Sequence, residues 1–111
     1  MLRVMKKIQH RANNEVKNLK LEDSERCELI ADHYGLNNQI SIAIEELSEL
    51  TKELCKFKRY RNNREQIIDE CADVLIMVDQ LLYLFNAGEE VDERIDFKLS
   101  RQLKRISEER E

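Results

Sequence analysis

The chain has no proline, no tryptophan and only two glycines, Gly35 and Gly88, in 111 residues. Proline and glycine are the residues that most often interrupt helices, so long helices can run almost anywhere in it. With three tyrosines and three phenylalanines, base-stacking surfaces are scarce. Cys27, Cys55 and Cys71 are odd in number and contain no C-x-x-C pair, which excludes a zinc or dithiol centre of the usual spacing and leaves buried free thiols as the expectation. His10 and His33 are isolated and read as a surface and a helix-end histidine. No apolar run approaches the roughly 20 residues of a membrane span. The first residues also lack the apolar stretch and small-residue cleavage site of a signal peptide. No membrane and a cytoplasmic location are therefore expected.

What is abundant is charge, at 38% of residues, together with 41% hydrophobic residues, chiefly leucine and isoleucine. That mixture, without helix-breaking punctuation, predicts an all-α fold with charges on solvated helix faces. The length suits one domain with a modest core. The net charge is −4, yet Arg3, Lys6, Lys7, Arg11, Lys17 and Lys20 face only Glu15 in the first twenty residues. No continuous basic face follows, so general nucleic-acid binding is not expected.

Hydrophobic periodicity divides the chain into helices. Met5, Ile8, Ala12, Val16 and Leu19 form an amphipathic stripe over residues 3–19, a helical arm (residues 1–22) of no readable role. A second helix is predicted from an Asp23 or Ser24 N-cap to Gly35, which suits a left-handed C-cap. A third runs from Asn38 to about Lys58 on Ile40, Ala43, Leu47, Leu50, Leu54 and Phe57, capped by Asn37 or Asn38. After a tight turn at 61–64, Asn62 and Glu65 suggest a capping box for a helix reaching about Asn86. Its segment 74–85 is apolar nearly all round, which predicts a subunit interface in a homodimer or homotetramer. A last helix from about Glu90 should turn Val91, Ile95, Leu99, Leu103 and Ile106 inward. The expected architecture is an antiparallel helical bundle built on a central two-helix hairpin.

The informative residues lie on that hairpin. Glu46 and Glu49 are three apart and share one helix face, with Glu45 and Glu53 nearby. Glu70 and Asp73 repeat the arrangement on the next helix. Folding the helices about residue 61 places Glu49 opposite Asp73 and offsets the two pairs by only roughly 4–5 Å. Four converging carboxylates repel one another, and a hard divalent cation relieves that repulsion. All-oxygen ligands select Mg²⁺, Mn²⁺ or Ca²⁺ over zinc, and Mg²⁺ commonly keeps positions for water and substrate phosphates. The bland alternative is that acids three apart merely solvate a helix.

The segments Glu45-Glu46-Leu47-Ser48-Glu49-Leu50 and Asp69-Glu70-Cys71-Ala72-Asp73-Val74-Leu75 resemble the E-E-x-x-E and E-x-x-D motifs of MazG-like all-α nucleoside triphosphate pyrophosphatases. The resemblance covers about residues 34–106 and implies that residues 23–111 form such a domain. It further implies Mg²⁺-dependent hydrolysis of a nucleoside triphosphate to the monophosphate and pyrophosphate in helical dimers or dimers of dimers, and Glu46, Glu49, Glu70 and Asp73 would be the metal ligands. Glu45 would bind a second metal or orient the attacking water. Lys98-Leu99-Ser100-Arg101 looks like the family's phosphate-reaching K-x-x-R step, without the asparagine that often precedes it. Beside the resemblance, Lys98, Arg101 and Arg105 share a helical face suited to phosphate, with Lys52, Lys56 and Arg64 as further candidates. Tyr34, beside Asn38 and Gln39, is the candidate for contacting a base. Two other functions remain open: a non-enzymatic helical interaction module using segment 74–85, and a metal-binding regulator without turnover.

Overall fold

The computed structural model describes residues 22–110, so the helix expected over residues 3–19 lies outside the described residues. Within them the chain forms four helices and no strand: α1 (Asp23–Tyr34), α2 (Leu36–Tyr60), α3 (Arg64–Leu84) and α4 (Gly88–Glu109). The all-α expectation holds. Among the described residues, no helix is long and apolar enough to cross a membrane.

A single residue separates α1 from α2. Gly35 has φ 82° and ψ 165°, a conformation that a Cβ would strain. Its N–H bonds to the Ala31 carbonyl at 2.8 Å, and its own carbonyl accepts the Gln39 N–H at 3.0 Å. Gly35 thus ends one helix and starts the next, so α2 begins before the expected asparagine cap. Asn38 instead donates its side-chain amide to the Tyr34 carbonyl at 2.8 Å, satisfying an orphan acceptor at the end of α1. At the other end of α1, Glu22 is the N-cap and Asp23 already lies in the first turn, paired with Arg26.

The α2–α3 turn also departs from the sequence reading. Arg61 adopts the left-handed conformation at φ 55° and ψ 32°, with its guanidinium 5.3 Å from the Phe57 ring centre. The capping box does not form, since Glu65 pairs with Arg64 at 3.2 Å and the N-cap is Asn63. The buried Asn63 side chain reaches back across the turn and donates to the Glu53 carbonyl at 2.9 Å and to the Glu53 carboxylate at 2.6 Å. That bond holds the Glu53 carboxyl below its ordinary range. Asn63→Ala is expected to lower the melting temperature, with the lost bond to the Glu53 carbonyl alone accounting for roughly 0.5–1.5 kcal/mol. Because a lowered folded pKa stabilises above the unfolded pKa and is lost as pH falls through the folded value, the variant should also lose less stability on acidification. Thermal melts from pH 7 to pH 3 check both.

Helices α2 and α3 form an antiparallel hairpin with the most extensive contact in the fold, and α1 packs against both. Ala31 and Ala43, at 0% and 4% exposure, allow close helix approach around Cys27, Met77 and Leu82. Tyr83 donates its hydroxyl to Asp32 at 2.9 Å, tying α3 to α1. Since α3 has neighbours on two sides, much of the all-round apolar character of 74–85 is used within the chain, leaving Ile76, Tyr83 and Phe85 exposed. Two further expectations are corrected. Only Cys27 of the three free thiols is buried, Cys55 and Cys71 lying on outward faces. The apolar stripe of α4 is sheltered only at its start: Val91 and Ile95 are half-buried, α4 touches α3 slightly, and every residue from Asp96 to Arg110 is exposed, Leu99 and Leu103 at 59% and 68%. A periodic stripe shows that a helix has an apolar face, and says nothing of which neighbour covers it.

Candidate metal centre

The inner face of the hairpin is polar for much of its length. Gln39 and Gln80, each 1% exposed, are joined by a hydrogen bond from the Gln39 amide nitrogen to the Gln80 oxygen. Seven residues along α2 from Gln39 is Glu46, and seven back along α3 from Gln80 is Asp73; these two carboxyls face each other. Three residues further in each direction, Glu49 faces Glu70. The Glu53–Asn63 contact closes the series at the turn.

This corrects the register expected from sequence, in which Glu49 stood opposite Asp73. The physical reason is the fold-back of Asn63 onto Glu53, which draws the start of α3 along α2 and shifts the pairing by about one helical turn. Convergence nevertheless survives, because the shift exchanges one acidic partner for another. One carboxylate oxygen each from Glu46, Glu49 and Glu70 lies within 4.8 Å of the others. Asp73 adjoins the group through Glu46. Glu45 is exposed on the flank and is not one of the three.

Electrostatics mark the cluster as under-compensated. Burial, then the negative charges of Asp73 and Glu49, push the Glu46 carboxyl above its ordinary range. Burial, then Glu49 and Asp73, do the same to Glu70. Glu46 and Glu70 are half-buried, and each has one shielded oxygen, Oε2, with no hydrogen-bond partner. Shielded polar atoms normally find partners, so two orphaned acceptors facing a third carboxylate fit a hard cation bound by oxygen.

The other candidates are dispersed. Gln39 is sealed against Gln80 rather than open to a base. Tyr34 is 51% exposed at the end of α1, its ring edge-to-face with His33 at 4.7 Å between centroids. Lys52 is exposed on α2, Lys56 pairs with Glu53 at 3.5 Å, and Arg64 pairs with Glu65. Lys98 and Arg101 stand on the exposed part of α4, Arg101 lying 5.7 Å from the Phe97 ring centre. Sequence reasoning missed the Gln39–Gln80 pair and the Asn63 clamp, although the seven-residue spacing from Gln39 to Glu46 placed that glutamine on the carboxylate face of α2. No protein-family model, curated protein or solved structure matches the chain.

Proposed function

We propose that a cluster of this kind serves a Mg²⁺-dependent nucleoside triphosphate pyrophosphohydrolase, a cytoplasmic MazG-like enzyme that converts a nucleoside triphosphate and water to the monophosphate and pyrophosphate. The observation that carries this reading is the pair of shielded, unpartnered oxygens on Glu46 and Glu70, beside Glu49 and at the centre of both resembling motifs. Glu46, Glu49 and Glu70 would hold the cation, with Asp73 the adjoining carboxylate; Mn²⁺ is a workable substitute. When bound, it would supply neutralisation of phosphate charge. Burial and the neighbouring negative charges disfavour the ionised forms of Glu46 and Glu70 in the metal-free protein, a cost that a bound cation would offset. Glu45, on the exposed flank, would accept a proton from the attacking water, whose oxygen bonds to the α-phosphorus as the pyrophosphate oxygen leaves. The decisive experiment incubates the protein with each nucleoside triphosphate and Mg²⁺ and assays pyrophosphate; no release from any of them refutes the proposal.

Lys98 and Arg101 would steady the triphosphate from α4. Replacing both with alanine should raise KM by roughly ten- to a hundredfold, given about 1.5–3 kcal/mol for a hydrogen bond to a charged group, and should leave the circular dichroism unchanged because both are exposed. Unchanged kinetics would remove them from the site.

The enzyme would act as a homodimer or homotetramer. Among the described residues, sixteen large apolar side chains are exposed and five apolar residues are buried, and association would cover part of that surface. The same surface favours a second reading, a helical interaction module whose acids only solubilise it. Mg²⁺-dependent thermal stabilisation separates the two, since the module has no use for the cation.

A further inference from the structure

The acids on the inner face of the α2–α3 hairpin are of two kinds. Glu46 and Glu70 each keep a shielded oxygen without a hydrogen-bond partner. Glu53, one turn beyond Glu49 on α2, has a donor on each oxygen: the Lys56 ammonium donates to Oε1 at 3.5 Å and the Asn63 amide to Oε2 at 2.6 Å. Asn63 spends its other amide proton on the Glu53 carbonyl at 2.9 Å. Its own oxygen is shielded and unpartnered at 8% residue exposure, so among the described residues its side chain bonds to Glu53 alone. Glu53 is nonetheless near the cluster. It shares a helix face with Glu49, and its charge reaches Glu70, whose carboxyl is raised first by burial, then by Glu49 and Asp73, and also by Glu53. Yet the three oxygens lying within 4.8 Å of one another come from Glu46, Glu49 and Glu70.

We propose that Asn63, assisted by Lys56, sets the cation selectivity of the carboxylate centre by holding Glu53 out of it. This rests on the reading of that centre as a Mg²⁺ site. Mg²⁺ demands near-ideal octahedral geometry and keeps several waters, whereas Ca²⁺ takes more oxygens, often from bidentate carboxylates, in flexible geometry; ligand number and mobility therefore divide the two. Few fixed carboxylates suit Mg²⁺. A freed Glu53, on a flexible side chain one turn from Glu49, would add oxygens and a negative charge to the group, which favours Ca²⁺.

Isothermal titration of the full chain with Mg²⁺ and with Ca²⁺ tests this without any turnover. Asn63→Ala should raise the ratio of Ca²⁺ to Mg²⁺ affinity about tenfold or more, since charge count and site rigidity move Ca²⁺ affinity by orders of magnitude. Adding Glu53→Met, which keeps the length and removes the oxygens, should return the ratio to that of the parent. A role confined to folding would instead weaken both cations together, and Glu53→Met would restore nothing. Should Asn63→Ala fail to fold, Lys56→Met, at a side chain 43% exposed, takes its place and should shift the ratio in the same direction. An unchanged ratio, or a raised ratio that Glu53→Met leaves in place, overturns the proposal, while Mg²⁺ binding by the parent still upholds the centre. A parent that binds neither cation refutes the centre itself, and this inference with it.

Discussion

Glu49→Gln should abolish pyrophosphate release and Mg²⁺-induced stabilisation together, while leaving the metal-free protein as stable as the parent or more so. The substitution preserves length and helix propensity but removes one negative charge from the group it forms with Glu46 and Glu70. If metal-assisted charge neutralisation contributes several kcal/mol, and about 1.4 kcal/mol corresponds to tenfold in rate, turnover should fall on the order of a hundredfold or more. Stability moves the other way because Glu49 is one of the charges raising both Glu46 and Glu70. A carboxyl whose folded pKa exceeds its unfolded value stabilises the fold at low pH, and that contribution is lost as pH rises through the folded pKa. The contribution of Glu46 and Glu70 to the stability of the metal-free parent should therefore decline from about pH 4 upward, that in the variant less so, and Mg²⁺ should offset the decline in the parent only. Melting curves across pH with and without Mg²⁺, alongside turnover, read every part; Glu65→Gln, at an exposed ion pair, is the control. A Glu49→Gln protein with normal turnover and a normal response to Mg²⁺ would refute the centre.

Gln80→Leu is expected to be the most destabilising single change inside the hairpin. It leaves the Gln39 amide, 1% exposed, without the acceptor it uses. A buried donor stripped of its partner costs roughly 1–3 kcal/mol, and about 4–8 °C is lost per kcal/mol in a domain of about this size, so the melting temperature should drop by on the order of 10 °C. Replacing both glutamines with leucine should recover much of the loss, since no polar group is then left unsatisfied. A double-mutant cycle measures the coupling. If the double variant is as damaged as the sum of the singles, the two amides do not act as a pair.

Much of this was legible in the sequence, and the lapses have physical causes. Helices, their order and the convergence of Glu46, Glu49 and Glu70 follow from spacing, because a helix fixes which residues share a face. The pairing of Glu49 with Glu70 does not follow, because it depends on one side chain, Asn63, reaching ten positions back. The apolar residues of segment 74–85 cover the whole circumference of the helix, and part of that surface packs on α1 and α2 of the same chain while Ile76, Tyr83 and Phe85 stay exposed; periodicity alone does not apportion it between the chain's own helices and a second subunit. On α4 the reverse happened, and Leu99 and Leu103 have a stripe without a neighbour among the described residues.

The paired amides and carboxyls inside the hairpin bear on how it assembles. Two long helices joined only by leucines can slide by a turn with little penalty, since one aliphatic contact replaces another. Here such slippage would leave Gln39 and Gln80 facing aliphatic side chains, stranding two buried amides. Misaligned hairpins are thus disfavoured by what they leave unsatisfied, and the gap between the native alignment and its rivals widens. Acids that raise the energy of the metal-free fold can then be carried without letting the helices settle into a different pairing.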